Sequence, residues 1–570
     1  MERVRSILPS AMLAVALSAV SGCMSLATVP YADMVGAVAE GADFDPEALR
    51  EAWLAQPNVE EQRPRLEELE AEALNLLADE PLRLGAVGSA ILDIYFGSLA
   101  GHLAMETFYQ RVEAPDDAAR HERWGRAVHE AIESSAAGTP SDPYQVISAM
   151  EARAFLLARD ESPIGSMYVS TDADPFVLQI LARRDEQPPA YRAFDLERFY
   201  RRVQADASRQ MEATPAGTRR GAPPARHGGG NVSFGVVNLF LAMQRGDSAA
   251  QVFVGYSLAR EERFEEAATW LVPASKGGNL VATLILAQMH RSEAFTGTDE
   301  TRDASLEKAE DHYLMAVAAG SDEAMAGLGA LYVGGFYGGG MVDEGLELLD
   351  NAADSGNTEA MVFLANAYAA GQLLDRDYDA SERYWVRAAD TGDMVAKLQY
   401  ARFLMAEDVE REFTGQAWRW LREVAQEENP QAMLLIASLY ARGVHVSRNY
   451  QRARLWFRNA VSIAPDDPDI VNEVAWTLTV SHLGKLRDER YALRIMERVM
   501  SSSDAARESP AFLDTWAAAH AANGNFDRAI DLQERALEQA RRREETTVLA
   551  VLQQHLEAFR AGETISENIP

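Results

Sequence analysis

Small and large apolar positions recur every 36 residues in the middle of the chain. The segments AAGSDEAMAGLGALY, AADSGNTEAMVFLANAY, AADTGDMVAKLQYARFL and AQEENPQAMLLIASLY stand around Gly320, Gly356, Gly392 and Glu428. Four places on falls an alanine: Ala324, Ala360, Ala396 and Ala432. Eight places beyond that stands a large side chain: Tyr332, Tyr368, Leu404 and Tyr440. Positions four and eight apart share one helix face. Alanine there lets two helix backbones approach, and the larger side chain fills the wedge between them. Glycine before the polar residue suits a helix end in the left-handed conformation. Self-similarity at this period predicts stacked helical hairpins, each burying the apolar face that its neighbour leaves uncovered.

The pattern extends upstream, where Gly246 with Ala250 and Gly278 with Ala282 open two earlier units. The six anchors at 246, 278, 320, 356, 392 and 428 are spaced 32, 42, 36, 36 and 36 residues apart. The longer interval is expected to hold an insert, SEAFTGTDETRDAS, in the turn between helices. One unit supplies Gly356-Asn357, Ala360, Leu364, Tyr368 and Gly371, then Tyr378 and Trp385 before Ala388-Ala389. Another supplies Ala432, Tyr440, Gly443, Tyr450, Ala453 and Trp456. These units resemble Sel1-like repeats, relatives of the tetratricopeptide repeat, over about residues 245–461. Leu404 stands where that pattern has tyrosine, and MAEDVEREFTG and GGFYGGGM replace the usual turns.

After Ala464-Pro465 the pattern changes, and two hairpins resemble tetratricopeptide units. The second carries Leu513, Ala517, His520, Gly524, Phe526, Ala529 and Ala536 at that family's spacing. LQQHLEAFRAG reads as a closing helix and ETISENIP as a short mobile tail. The expected fold is therefore all-α: a helical N-terminal domain with a small β-hairpin, followed by an α-solenoid of Sel1-like and tetratricopeptide-like hairpins.

Residues 24–212 show no repeat. Asp45-Pro46-Glu47 marks a helix start, with an acid at the cap and proline in the first turn. Between Val87 and Ala104 the only formal charge is Asp93, which places that stretch in a core. Helices are expected over about Asp116–Ser135 and Glu151–Ala158, and the β-hairpin from Met167-Tyr168-Val169 and Val177-Leu178-Gln179-Ile180. Residues 213–231, ATPAGTRRGAPPARHGGGN, read as a linker, with Arg219, Arg220 and Arg226 on it.

The first 22 residues read as a signal peptide: Arg3 and Arg5, then an apolar stretch from Ile7 to Val20 broken by Pro9. That stretch is shorter than the roughly 20 residues a membrane span needs. Val20-Ser21-Gly22-Cys23 resembles a bacterial lipobox, and Cys23 is the only cysteine in 570 residues. The resemblance implies lipid attachment at Cys23. Met24 stands where Asp marks inner-membrane retention in Gram-negative lipoproteins, which implies the outer membrane, facing the periplasm. The expected segments are thus 1–22 signal peptide, 23–212 helical domain, 213–231 linker, 232–461 Sel1-like repeats, and 462–570 tetratricopeptide-like hairpins with a cap.

A net charge of −33 argues against nucleic acid as partner, because phosphates are bound by lysine and arginine patches. The acids are dispersed, which suits solubility. With Cys23 acylated, no thiol remains for a disulfide or a thiolate metal site. His121-Glu122 and His129-Glu130 lie eight apart, without the i, i+4 histidine pair of a zinc protease, so no metal site is expected. There is no P-loop and no G-x-S-x-G, so no catalytic residue or cofactor is expected and the chain is not read as an enzyme. Trp385 and Trp456 take near-equivalent repeat positions and are expected in the packing, while Trp418 and Trp420 point to different faces of one helix. The functional expectation is a lipid-anchored envelope scaffold that binds a protein or peptide on its concave face or on the odd turns at 292–305 and 334–341. The alternatives are an assembly lipoprotein for exopolysaccharide export, and an unrecognised enzymatic or ligand-binding activity in residues 24–212, which a deep polar pocket there would favour.

Overall fold

A computed structural model describes residues 30–568, except 78–79, 170–176, 186, 197–246, 297, 336–339, 407–408 and 410. The expected signal peptide, Cys23 and the expected linker at 213–231 therefore lie outside the described residues. The chain divides into two compact units, Met1–His312 and Tyr313–Pro570.

The first unit opens with α1 (Tyr31–Ala39), α2 (Pro46–Leu54), α3 (Val59–Leu76), α4 (Leu84–Ile94), α5 (Leu99–Arg111) and α6 (Pro115–Glu133). Asp45 caps α2 by accepting from the amides of Glu47 and Ala48, both at 3.1 Å. Val87, Ile91, Tyr95, Leu99 and Ala104 are all buried, so the charge-poor stretch is the core it was expected to be. Strand β1 (Tyr144–Gln145), α7 (Ala149–Leu157), β2 (Ser162–Val169), β3 (Val177–Arg183) and β4 (Ala190–Asp195) follow. The expected hairpin exists, with Tyr168 opposite Leu178. It is half of a four-stranded sheet ordered β1-β4-β3-β2, in which β1 runs parallel to β4. The two extra strands correct the expectation. β1 is two residues long and finds its partner fifty places on, a pairing no local pattern marks.

The repeat helices of this unit are α8 (Ser248–Arg260), α9 (Phe264–Lys276) and α10 (Leu280–Thr296), with α11 (Asp299–Ala318) crossing the division. α8 and α10 pack on β2. Ala249 and Ala250 share a buried cluster with Phe155, Tyr168 and Phe194. Asn279, at the start of α10, treats β2 as a strand would. Its Oδ1 accepts from the Ser166 amide at 3.1 Å, and its Nδ2 donates to the Ser166 carbonyl at 2.8 Å. Gly165 makes this approach possible, because a Cβ there would lie 2.9 Å from the Val281 nitrogen. The expected insert is no loop: α10 runs to Thr296 and α11 begins at Asp299, so the extra residues lengthen the helices.

The second unit is built from hairpins α12 (Asp322–Val333) with α13 (Val342–Asp354), α14 (Thr358–Ala370) with α15 (Tyr378–Asp390), α16 (Met394–Met405) with α17 (Gly415–Gln426), and α18 (Pro430–Arg442) with α19 (Tyr450–Ile463). α20 (Pro468–Val480), α21 (Glu489–Ser502), the short α22 (Asp504–Glu508), α23 (Pro510–Ala522), α24 (Phe526–Arg542) and α25 (Leu549–Arg560) complete it.

Each rung of the ladder is one local device. Gly320, Gly356 and Gly392 take positive φ of 77°, 95° and 97°, and Glu428 takes 58° in their place. The next residue caps the following helix. Ser321, Asn357, Asp393 and Asn429 accept from the amides of Ala324, Ala360, Ala396 and Ala432 at 3.1, 2.9, 2.6 and 3.0 Å. Each cap contributes roughly 1 kcal/mol. All four alanines are fully buried, and Tyr332 and Leu404 are buried beside them. Side chains also tie hairpin to hairpin. Arg387 donates to the Ala353 carbonyl (2.9 Å) and to Asp354 (2.8 Å), and Asn523 donates to the Glu489 carbonyl (2.9 Å).

The C-terminal tail is held, contrary to expectation. Glu567 donates its amide to the Val480 carbonyl (2.7 Å) and accepts from the His482 amide (2.8 Å). Its carboxylate stands 3.5 Å from His555 Nε2. The isolated sequence ETISENIP has no apolar period, so nothing local marks this pairing with the end of α20.

Candidate functional site

A cleft of about 800 Å³ opens in the first unit between α3, α7, β2 and the starts of α8 and α10. Arg63, Glu67, Arg153, Tyr168, Asp247 and Asn279 are its polar lining, against apolar Met150, Ile164, Leu178 and Ile180. The sheet supplies the floor and the helix starts supply the rim. Ala149, Ala249 and Asn279 all lie at helix N-termini, where amides point outward and favour negative charge. Asp247 spends its carboxylate on two of those amides, Ala249 at 2.8 Å and Ala250 at 3.1 Å. Desolvation raises its pKa, and bonds from Ala250, Ala249 and Tyr168 and the charge of Arg153 oppose the rise. Desolvation likewise lowers that of Arg153, with Asp247 acting the other way. Glu68 also lines the cleft, so Arg63 and Arg153 face three carboxylates, and such a site suits a small polar or zwitterionic molecule.

A second polar cluster is sealed in the core. Glu70 accepts from Ser98 Oγ at 2.6 Å and Ser148 Oγ at 3.2 Å, and each serine also caps its own helix, α5 or α7. Glu151 accepts from Arg50 at 3.1 Å and from the Ile147 amide at 2.7 Å. Burial pushes the Glu70 carboxyl up to about 8, with Ser98 opposing and Glu151 adding to the rise. This cluster joins four helices, α2, α3, α5 and α7, and Glu70, Ser98, Ser148 and Glu151 are all buried, so it is structural.

The two histidines noted in the sequence are not brought together. His121 is buried, with its Nδ1 3.1 Å from Nδ1 of His102 on α5. Burial, with the neighbouring histidine, lowers His102 to about 3, and burial with Arg120 lowers His121 to about 4. Both are neutral packing groups in a ring of Phe96, Tyr109 and Trp124. His129 instead stacks on Phe155 at 4.8 Å. His102 escaped the sequence reading because its partner is nineteen residues away on another helix. Among the described residues no group of three or more His, Cys, Asp or Glu side chains is placed to hold a metal.

Trp385 is buried and Trp456 packs half-buried against the same core, as their repeat positions implied. Trp418 and Trp420 are both half-buried, so neither is the exposed residue that their opposed faces suggested. Beside them the second unit sets arginines over half-buried aromatic rings. Arg387 lies over Tyr384 (5.7 Å), Arg452 over Tyr440 (5.5 Å), Arg458 over Tyr491 (5.0 Å) and Arg528 over Trp516 (5.3 Å). Of the odd turns, residues 336–339 lie outside the described residues. Among the described residues, no helix is long and apolar enough to cross a membrane.

No family model matches the chain, and no curated protein matches it. Among solved structures it is similar to a protective antigen of uropathogenic Escherichia coli displaying an SLR fold, at 20% identity and a TM-score of 0.37, over 58% of this chain and 68% of that one. A Sel1 repeat protein from Oxalobacter formigenes is 20% identical over 44% of this chain and 98% of its own, with a TM-score of 0.32. Yeast Tom70 is 12% identical over 88% and 96%, with a TM-score of 0.33.

Proposed function

We propose that this chain is a scaffold of Sel1-like and tetratricopeptide-like hairpins, held to the outer membrane by lipid on Cys23, that binds a protein or peptide without covalent chemistry. The observation that carries the binding half is the division of labour within each hairpin. The rung residues are consumed by caps and packing. Among the residues left at the surface are arginines set over half-buried tyrosine or tryptophan, at Arg387/Tyr384, Arg452/Tyr440, Arg458/Tyr491 and Arg528/Trp516. These three residue types dominate the energetics of protein interfaces. The anchoring half rests on the lipobox-like Val20-Ser21-Gly22-Cys23. Fractionation tests it: Cys23→Ser should move the protein from the membrane pellet to the soluble envelope fraction. Unchanged pelleting of that variant in high salt would refute lipid attachment.

A second reading, ligand binding, is supported by the cleft that residues of the N-terminal region form together with Asp247, Ser248, Ala249 and Asn279. Native mass spectrometry of the purified protein tests it. A small zwitterionic adduct that Arg153→Met removes, with the melting temperature kept, supports the reading; an adduct-free spectrum counts against it.

A further inference from the structure

From Asn429 to Pro465 the chain has no aspartate or glutamate, yet it carries five arginines: Arg442, Arg448, Arg452, Arg454 and Arg458. This stretch is the hairpin α18–α19, set in a chain with 87 acids and a net charge of −33. Elsewhere exposed helical arginines find acids one turn away, as in Arg126–Glu122, Arg528–Asp531 and Arg542–Glu538. Here, among the described residues, only Arg458 has a carboxylate partner, Asp488 at 2.5 Å. Arg448 donates to the Arg442 carbonyl at 3.0 Å, Arg452 to the Tyr440 hydroxyl at 3.3 Å, and Arg454 to the Lys485 carbonyl. The last bond holds the Lys485 loop against α19. Leu455 stands among these groups, 56% exposed.

Cations gathered without counter-charge repel one another, by about 1 kcal/mol for a pair 4 Å apart in water. A carboxylate docking among them removes that repulsion and gains charge-assisted bonds to guanidinium groups. We propose that the α18–α19 hairpin is the docking surface for a short acidic segment of a partner protein, one with an apolar side chain that covers Leu455. The inference rests on the scaffold reading and names its partner class. A short protein segment is favoured over a nucleic acid or a lipid surface by reach. Screening limits the patch's field to about 8 Å at physiological salt. A segment confined to the hairpin meets five arginines, of which only Arg458 has a carboxylate partner among the described residues, whereas a duplex or a bilayer extends onto the acidic remainder of the chain.

The test uses the full-length protein and a fluorescein-labelled peptide, Glu-Glu-Leu-Glu-Glu-Leu-Glu-Glu, followed by anisotropy against salt. The wild type should bind it in a salt-dependent way and should not bind the glutamine counterpart. Arg442→Glu with Arg452→Glu should weaken binding roughly tenfold or more. The double lysine variant should retain most of it, and all should melt alike. Equal binding by the glutamate variant, or no binding by the wild type, overturns the proposal. So does tighter binding of an oligonucleotide or of anionic vesicles than of the peptide. Self-association that the glutamate variant abolishes would assign the surface to a second copy and overturn it as well. Crosslinking in the native membrane separates the two claims: a partner captured equally by wild type and glutamate variant keeps the scaffold and discards this surface.

Discussion

At the residue scale, most of the repeat reduces to a left-handed residue, a cap and an alanine. Glu428 is the exception among the rungs, since an L side chain occupies a conformation that costs roughly 1 kcal/mol over glycine. Glu428→Gly should therefore stabilise the second unit by about 1 kcal/mol, read as a rise in denaturation midpoint; a fall would show that the side chain makes a contact worth more than the strain. Asn357→Ala should do the opposite, losing about 1 kcal/mol with the bond to the Ala360 amide. These residues were legible because the device is local and recurs at one period. Glu70 was not, because its two hydrogen-bond partners, Ser98 and Ser148, cap two other helices. Its raised pKa means that folding favours the protonated form. The stabilisation is complete below the ordinary 4.5 and is lost as pH climbs through about 8. Stability of the first unit should fall across that window, and Glu70→Gln should flatten the profile. A profile unchanged by the substitution would refute the assignment.

At the element scale, helix existence and hairpin pairing followed from period, while sheet completion and tail docking did not. β1 and β4 pair across about fifty residues, and the tail pairs with α20 from about eighty-five residues away, distances over which no sequence periodicity operates. The tail has its own titrating link. His555 is opposed by burial but raised above its ordinary 6.5 by Asp514 (2.9 Å) and Glu567. A raised histidine lends stability that is full below 6.5 and fades as pH rises through the folded value. Hydrogen exchange at the Glu567 amide, corrected for intrinsic rate, should accelerate as pH rises, and His555→Gln should remove the dependence. Equal protection at all pH values would place the tail's hold in the backbone bonds alone. At the sheet, Gly165→Val should loosen the start of α10 from β2, because its Cβ would meet the Val281 nitrogen at 2.9 Å.

At the scale of the whole molecule, composition misled by averaging. A net charge of −33 describes a dispersed acidic surface, and it hides one hairpin with five arginines and no acid. A windowed charge count would have exposed it, since the signal lies in the distribution. The cleft, by contrast, draws on α3, α7, β2 and two helix starts spread over more than two hundred residues, and only the folded first unit assembles it. The central claim is that the hairpins of the second unit hold a protein partner. Crosslinking with mass spectrometry on the protein in its own membrane tests that claim most directly. The account predicts one partner at near-stoichiometric yield, with crosslinks concentrated on residues 342–542 and densest around α18–α19. A correctly folded, membrane-bound protein that yields no recurrent partner, or crosslinks confined to the first unit, would contradict it.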